Sequence, residues 1–220
     1  MRHLPNGSSG DIVLGIAERI IENRAYLSEI DGKIGDGDHG VNMAKGFGIA
    51  AERIRGKDMS LSAAFDLLGT VLMTEIGGSM GPLYGMMFTE FAETIAGAAA
   101  IDAALFAKML TAGLGGIQAI GSAKVGDKTL LDALAPAITA FEAAISAGRS
   151  FDQGLDALVI AAEKGRDSTK DMVAKIGRAS RLGARSAGVL DAGASSCAVI
   201  LRELARGTKA RLANDVETVR

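Results

Sequence analysis

Apolar positions recur at helical spacing along almost the whole chain. Ile12, Ile16, Ile20 and Leu27 form the first stripe, with Glu18, Arg19, Glu22 and Arg24 between them. That is one face of a 3.6-residue repeat. Ser8, Ser9 and Asp11 offer capping side chains before it, so a first helix is predicted to start there and end near Ile30. Similar patterns predict helices over 41–55, 60–76, 82–96, 101–120, 130–147, 151–174 and 194–212. Pro82 suits a first helical turn, and Pro136 falls inside the sixth helix as an expected kink. The pattern therefore predicts about eight helices, no strand and no interdomain linker. We read residues 1–220 as one domain, with 1–9 and 213–220 fraying.

The connecting stretches differ in kind. Gly56-Lys57-Asp58, 97–100 and Gly148-Arg149-Ser150 are short and plain, whereas the stretches after the first, third, fifth and seventh helices are Gly-rich and carry unusual polar residues. In an up-and-down arrangement alternate loops share one end. The expected fold is thus all-α, an antiparallel up-and-down eight-helix barrel or bundle with a site at one end.

Composition narrows the classes. Apolar residues make up 48% of the chain and aromatics only 4%, a mix that favours closely packed helices over a β-sandwich. The net charge of −2 implies no general nucleic-acid affinity. A single cysteine, Cys197, excludes a disulfide framework and a Cys-based zinc site. Residues 1–10 are short and polar, unlike a signal peptide, and no charge-free run of membrane-spanning length occurs. No membrane association is expected, and a cytoplasmic protein is.

The densest chemistry lies in Asp31-Gly32-Lys33-Ile34-Gly35-Asp36-Gly37-Asp38-His39-Gly40. Carboxylates this close repel one another unless a cation sits among them, and hard oxygen ligands on a flexible loop suit Mg²⁺ or Ca²⁺. The stretch matches G-x-G-x-x-G literally, but no strand precedes it, and two Asp side chains would repel a bare pyrophosphate. An EF-hand counted from Asp36 would need its bidentate Glu at Phe47. Gly121-Ser122-Ala123-Lys124-Val125-Gly126-Asp127-Lys128-Thr129 falls short of a P-loop, because Asp127 separates the Gly from the Lys. Gly77-Gly78-Ser79-Met80-Gly81-Pro82 aims backbone N–H groups from the start of a helix, the arrangement that binds phosphate. Three ionised Asp carry −3. One divalent ion leaves the site negative, whereas two Mg²⁺ leave it positive and able to hold phosphates. Mg²⁺ typically binds through carboxylates together with substrate phosphates.

Four motifs now point to a known group. Residues 34–43 (IGDGDHGVNM), 77–85 (GGSMGPLYG), 126–135 (GDKTLLDALA) and 177–196 (GRASRLGARSAGVLDAGASS) together resemble the nucleotide-binding (ADP-binding) subunit of dihydroxyacetone kinases, the DhaL type, over nearly the whole chain. The resemblance implies an eight-helix barrel with the nucleotide at one end. It implies that Asp31, Asp36 and Asp38 hold two Mg²⁺ ions bridging the phosphates of ADP or ATP. It implies nucleotide contacts from His39, Gly40, Val41 and Asn42, and from Ser79 and Met80 on the glycine loop. Gly121, Leu130, Arg178, Asp191, Ala192 and Gly193 would line the adenine and ribose. No nucleophile is expected in this chain. The family's glycine loop usually reads Gly-Gly-Ala-Ser-Gly; here Ser79 moves the hydroxyl one place and Met80 puts a thioether where it was.

The resemblance further implies a partner, a dihydroxyacetone-binding kinase subunit that carries the substrate on its own histidine. In one branch ADP stays bound and a phosphotransferase-system phosphocarrier recharges it; in another, ATP exchanges freely. We expect the first branch, and a homodimer. Two alternatives are an ATP-dependent kinase subunit for another triose or tetrose, and a nucleotide-loaded regulatory partner without catalysis.

Overall fold

The structure is a computed structural model that describes residues 2–214. Its elements run β1 (Arg2–Pro5), α1 (Asp11–Glu22), α2 (Arg24–Ile34), α3 (His39–Ile54), α4 (Leu61–Glu75), α5 (Met80–Ile95), β2 (Ala100–Ile101), α6 (Ala103–Ile120), α7 (Leu131–Ser146), α8 (Phe151–Ser168), α9 (Ala192–Arg211) and β3 (Ala213–Asn214). Short polar side chains start several of the helices. Ser60, Asp102 and Asp191 accept the backbone N–H groups of Ala63, Leu105 and Ala194. Ser150 and Gln153 form a full capping box ahead of α8.

The protein is all-α apart from a small sheet. α3, α4, α5, α6, α7, α8 and α9 each pack on the next, and α9 returns to α1, which packs on α3. The ring closes into an up-and-down barrel of eight columns, the first being α1 and α2 together. All seven phenylalanines fill its interior in two groups. Phe47, Phe65, Phe88 and Phe91 stack and meet edge-on between α3, α4 and α5. Phe106, Phe141 and Phe151 meet tilted or edge-on between α6, α7 and α8. Such pairs add about 1 kcal/mol each beyond their buried area. α6 is long and apolar enough to cross a membrane by length and composition. Here Phe106, Met109, Leu110 and Ile117 on one face are buried.

Several expectations are corrected. The first predicted helix breaks at Asn23, whose side chain donates to the Arg19 carbonyl, and resumes as α2 as far as Ile34. Asp31 therefore sits in the last turn of a helix, not in a loop. The seventh helix ends at Ser168 rather than near 174 and continues as a 3₁₀ turn, Thr169–Asp171. Pro136 lies inside α7, where the sequence placed it.

Strands exist among the described residues. β1 pairs antiparallel with β2 (Leu4 opposite Ile101) and with β3 (Arg2 opposite Asn214), in the order β2-β1-β3. Residues 2–9, expected to fray, are held down. Leu4 is fully buried, Ser9 donates to the Pro5 carbonyl, and Asn6 donates to the carbonyls of Ile95 and Ala98. Residues 213 and 214, also expected to fray, form β3, and the rest of that tail lies outside the described residues. By the alternation of the helices this sheet closes the end opposite the acidic stretch, and the Gly-rich connections share the other end.

Candidate metal and nucleotide site

At that other end the four Gly-rich connections surround one cavity of about 810 Å³. Asp31, Asp36 and Asp38 stand on one side, with carboxylate oxygens all within 4.8 Å of one another. Oxygens bound to one Mg²⁺ at about 2.0–2.1 Å lie no more than about 4.2 Å apart, so small side-chain movements bring this trio around a hard cation. Arg178 forms an ion pair with Asp36. Asp31 also accepts the backbone N–H of His39 at 3.3 Å, which places a carboxylate on the N-terminus of α3.

The rest of the lining suits an anion with an apolar body. α5 opens on the cavity at Ser79 and Met80, and Ser79 makes no side-chain cap, so its first N–H groups are left for another acceptor. Gly78 has φ 77°, and a Cβ built there meets nothing within 4 Å, which leaves the loop's backbone open to close approach. Leu83, Ile117, Ile120, Leu130 and Leu131 form the apolar wall, with Gly121 beside them. Ile176, Gly177, Arg178 and Ala179 close one flank, and Asp191, Ala192 and Gly193 close the floor.

Most of the expected site residues meet here: Asp31, Asp36, Asp38, His39, Asn42, Ser79, Met80, Gly121, Leu130, Arg178, Asp191, Ala192 and Gly193 all line the cavity. Gly40 and Val41 do not. α3 begins at His39, and successive helix residues point about 100° apart. His39 and Asn42, three apart, face the cavity, while Gly40 is buried against α2 and Val41 is 43% exposed. The stretch after Gly177, expected to be irregular, winds into 3₁₀ turns over Arg178–Ser186 with a break at Gly183.

Beneath the cavity lies a polar layer that sequence reasoning missed. His39 Nε2 lies 2.9 Å from Ser196 Oγ, which lies 2.7 Å from the hydroxyl of buried Tyr84. Burial pushes the Tyr84 hydroxyl well above its usual value. It also pushes the neighbouring Cys197 thiol to about 12, which marks that cysteine as a packing residue. The buried Asp132 carboxylate accepts from Gly126 at 2.5 Å and from Thr129 at 2.7 Å, fixing the turn before α7. Thr169 accepts from the Asp191 N–H, and Lys128 is buried beside them. The only sequence signal was polar residues inside otherwise apolar helices, such as Ser195-Ser196 in α9.

Two groups make metal-free stability depend on pH in opposite directions. Burial pushes the Asp191 carboxyl up to about 7, against the Ala194 N–H that holds it down. Its contribution to stability is fully present below about 3.8 and lost as pH rises through about 7. Burial pushes the His39 imidazole down to about 4, against the Asp31 carboxylate. Its contribution is present above about 6.5 and lost as pH falls through about 4. Between about pH 4 and 6.5 the two oppose each other. Without metal, Asp191→Asn is expected to lose more stability than the wild type between about pH 7 and about pH 4.5, and His39→Gln less. Urea unfolding at both pH values checks this; equal slopes for all three proteins would contradict it.

The fold and site together define a helical barrel whose one end pairs a carboxylate trio with helix N-termini around an apolar slot. The DAK2 domain family matches residues 33–206. The chain belongs to that family, among the kinase-type phosphotransferase subunits of the DhaL type. It is 37% identical over 188 residues to the ADP-binding subunit DhaL of PEP-dependent dihydroxyacetone kinase 1 of Listeria innocua, covering 85% of this chain and 89% of that protein. It is 33% identical to the corresponding Escherichia coli subunit, covering 84% and 88%. The dihydroxyacetone kinase of C. freundii, solved in complex with AMP-PNP and Mg²⁺, matches with a TM-score of 0.70 and 27% identity. That match covers 90% of this chain and 33% of the C. freundii chain, so this chain spans about a third of that kinase.

Proposed function

We propose that this chain holds a Mg²⁺-bound adenine nucleotide in the 810 Å³ cavity and passes a phosphoryl group to dihydroxyacetone, or a similar short ketose, held on a partner subunit. The observation that carries the reading is the trio Asp31, Asp36 and Asp38 lining the same cavity as the open N-terminus of α5. The trio fits two Mg²⁺ by charge, since −3 is exceeded only by a second divalent ion. When bound, such ions neutralise charge on the β- and γ-phosphate oxygens.

The chain's own residues bind and orient. The α5 N-terminus and Gly78 offer backbone donors to phosphate oxygens. Arg178 supplies a guanidinium at the mouth, while Leu83, Ile117 and Leu130 hold the base and exclude water. Phosphoryl transfer needs positioning and charge stabilisation more than covalent chemistry from the protein.

For the donor we propose a phosphotransferase-system phosphocarrier that recharges bound ADP. Relatives matched over nearly their full length carry PEP- or PTS-dependent names. The partner would be a dihydroxyacetone-binding subunit, and the setting cytoplasmic, with the chain as a homodimer. A second reading, an ATP-dependent kinase subunit for a tetrose, draws on Met80 in the glycine loop. It also draws on a 32% identical D-erythrulose kinase of Mycolicibacterium smegmatis, of which the match covers 33%.

Mixing the chain with a dihydroxyacetone-binding subunit, supplying either phosphorylated carrier or ATP, and following labelled phosphate separates these readings. The expected result is triose phosphate from the carrier without release of ADP. Transfer only from ATP supports the second reading. No transfer from either donor, with nucleotide bound, contradicts both.

A further inference from the structure

Lys128 is fully folded into the protein, at 2% exposure, with its backbone at φ 65°. Both features are unfavourable for a lysine: an ammonium sheds water reluctantly, and a residue with a Cβ resists the left-handed region. What compensates is geometry. Its Nζ donates to the backbone carbonyls of Met172 at 3.1 Å, Ser186 at 2.5 Å and Val189 at 2.7 Å. An ammonium has three N–H donors, so all are used and none is left for a phosphate. Burial pushes the ammonium's pKa down, while the Asp191 and Asp171 carboxylates push it up from further away.

The three acceptors bracket one segment. Between Met172 and Ser186 lie Ile176, Gly177 and Arg178 on the cavity flank, and Asp191 follows Val189 on its floor. On the lysine's own side, Thr129 and Leu130 line the cavity, and their turn is fixed to α7 through Asp132. One buried cation thus joins two walls that come from separate loops. The same two walls are also joined at Lys175, whose N–H donates to the Asp127 carbonyl at 3.2 Å and whose exposed Nζ pairs with the Asp127 carboxylate at 3.3 Å.

We propose that Lys128 is a positioning residue, a tethered cation around which the 172–189 wall of the cavity is assembled, and that its three-carbonyl cage accepts ammonium or a similar monovalent cation once the side chain is removed. The first half rests on the reading of the cavity as a nucleotide site; the cage does not.

Lys128→Gly removes the ammonium and suits the left-handed backbone. In choline chloride buffer it is expected to bind Mg²⁺–ADP about tenfold or more weakly than the wild type, and amides 172–189 are expected to exchange faster. Ammonium chloride should restore both in this variant and change neither in the wild type. Lys128→Met keeps the stem in the cage, so it should bind as weakly and resist rescue, which also covers the case in which Lys128→Gly does not fold. Three results overturn the proposal: unchanged nucleotide affinity in both variants, weakened affinity with unchanged exchange over 172–189, or no recovery of Lys128→Gly in ammonium. If the wild type binds no Mg²⁺–ADP, the nucleotide reading fails, while exchange with and without ammonium still tests the cage.

Discussion

Asp36→Asn is expected to lose Mg²⁺-dependent nucleotide binding while keeping its fold. The three carboxylates lie within 4.8 Å of one another. At such distances like charges raise one another's energy unless a cation intervenes. In the metal-free protein Asp36 is relieved by Arg178, but both partners are substantially exposed, at 35% and 61%. An exposed pair contributes about 0–1 kcal/mol, and removing one of three repelling charges offsets part of that. Metal-free stability should therefore change by no more than about 0.5 kcal/mol. Metal affinity is another matter. Changing an outer residue behind a metal ligand costs about 10–100-fold, so loss of a direct anionic ligand should reach at least about 100-fold. Titration of ADP with and without Mg²⁺, beside a thermal melt without metal, reads both quantities. A variant that unfolds, or that binds Mg²⁺–ADP normally, would show the acidic stretch to be a turn and not a metal site.

Gly40→Ala should have the largest effect on stability. Gly40 sits where α3 crosses α2, and a Cβ built there would lie 2.1 Å from the Arg24 carbonyl oxygen and 2.6 Å from the Ser28 nitrogen. Both obstacles are backbone, so no side chain can rotate away. The helices must separate, which opens the packing around buried Leu27, Met43 and Phe47. Overpacking of this kind costs about 1–3 kcal/mol, and rigid backbone on one side favours the upper end. Because α2 ends in Asp31 and α3 begins at His39, the carboxylate trio should be disturbed as well. Chemical denaturation together with Mg²⁺ titration tests this: the account expects both to suffer, and an Ala variant as stable as wild type would contradict the close crossing. Val41→Ala, at the next residue along but exposed, is the natural control.

These two neighbours show where the sequence was legible and where it was not. The eight columns could be read because each carries a full apolar stripe, and alternate connections share an end in any up-and-down barrel. That argument needs only period and loop composition; the individual site residues were implied by the family resemblance, and thirteen of the fifteen line one cavity. Gly40 and Val41 fall outside the lining because facing depends on where α3 starts, and a helix start is uncertain by a residue or two. The break at Asn23 was hidden for a similar reason: Leu27 continues the stripe begun by Ile12, although the backbone between them does not stay helical. β1 was hidden because a four-residue strand is made by its partners, Ala100–Ile101 and Ala213–Asn214, which are distant in sequence. Lys128 belongs to the imperfect phosphate loop, residues 121–129, and Asp132 lies just beyond it. Only the fold shows that their side chains are spent on backbone groups within the protein.

The most direct test of the central claim, that this end of the barrel is a two-Mg²⁺ nucleotide site, is native mass spectrometry of the intact chain after incubation with Mg²⁺ and ADP. The account predicts a dominant species heavier by one ADP and two Mg²⁺ ions. A spectrum showing only the bare chain under those conditions would contradict it.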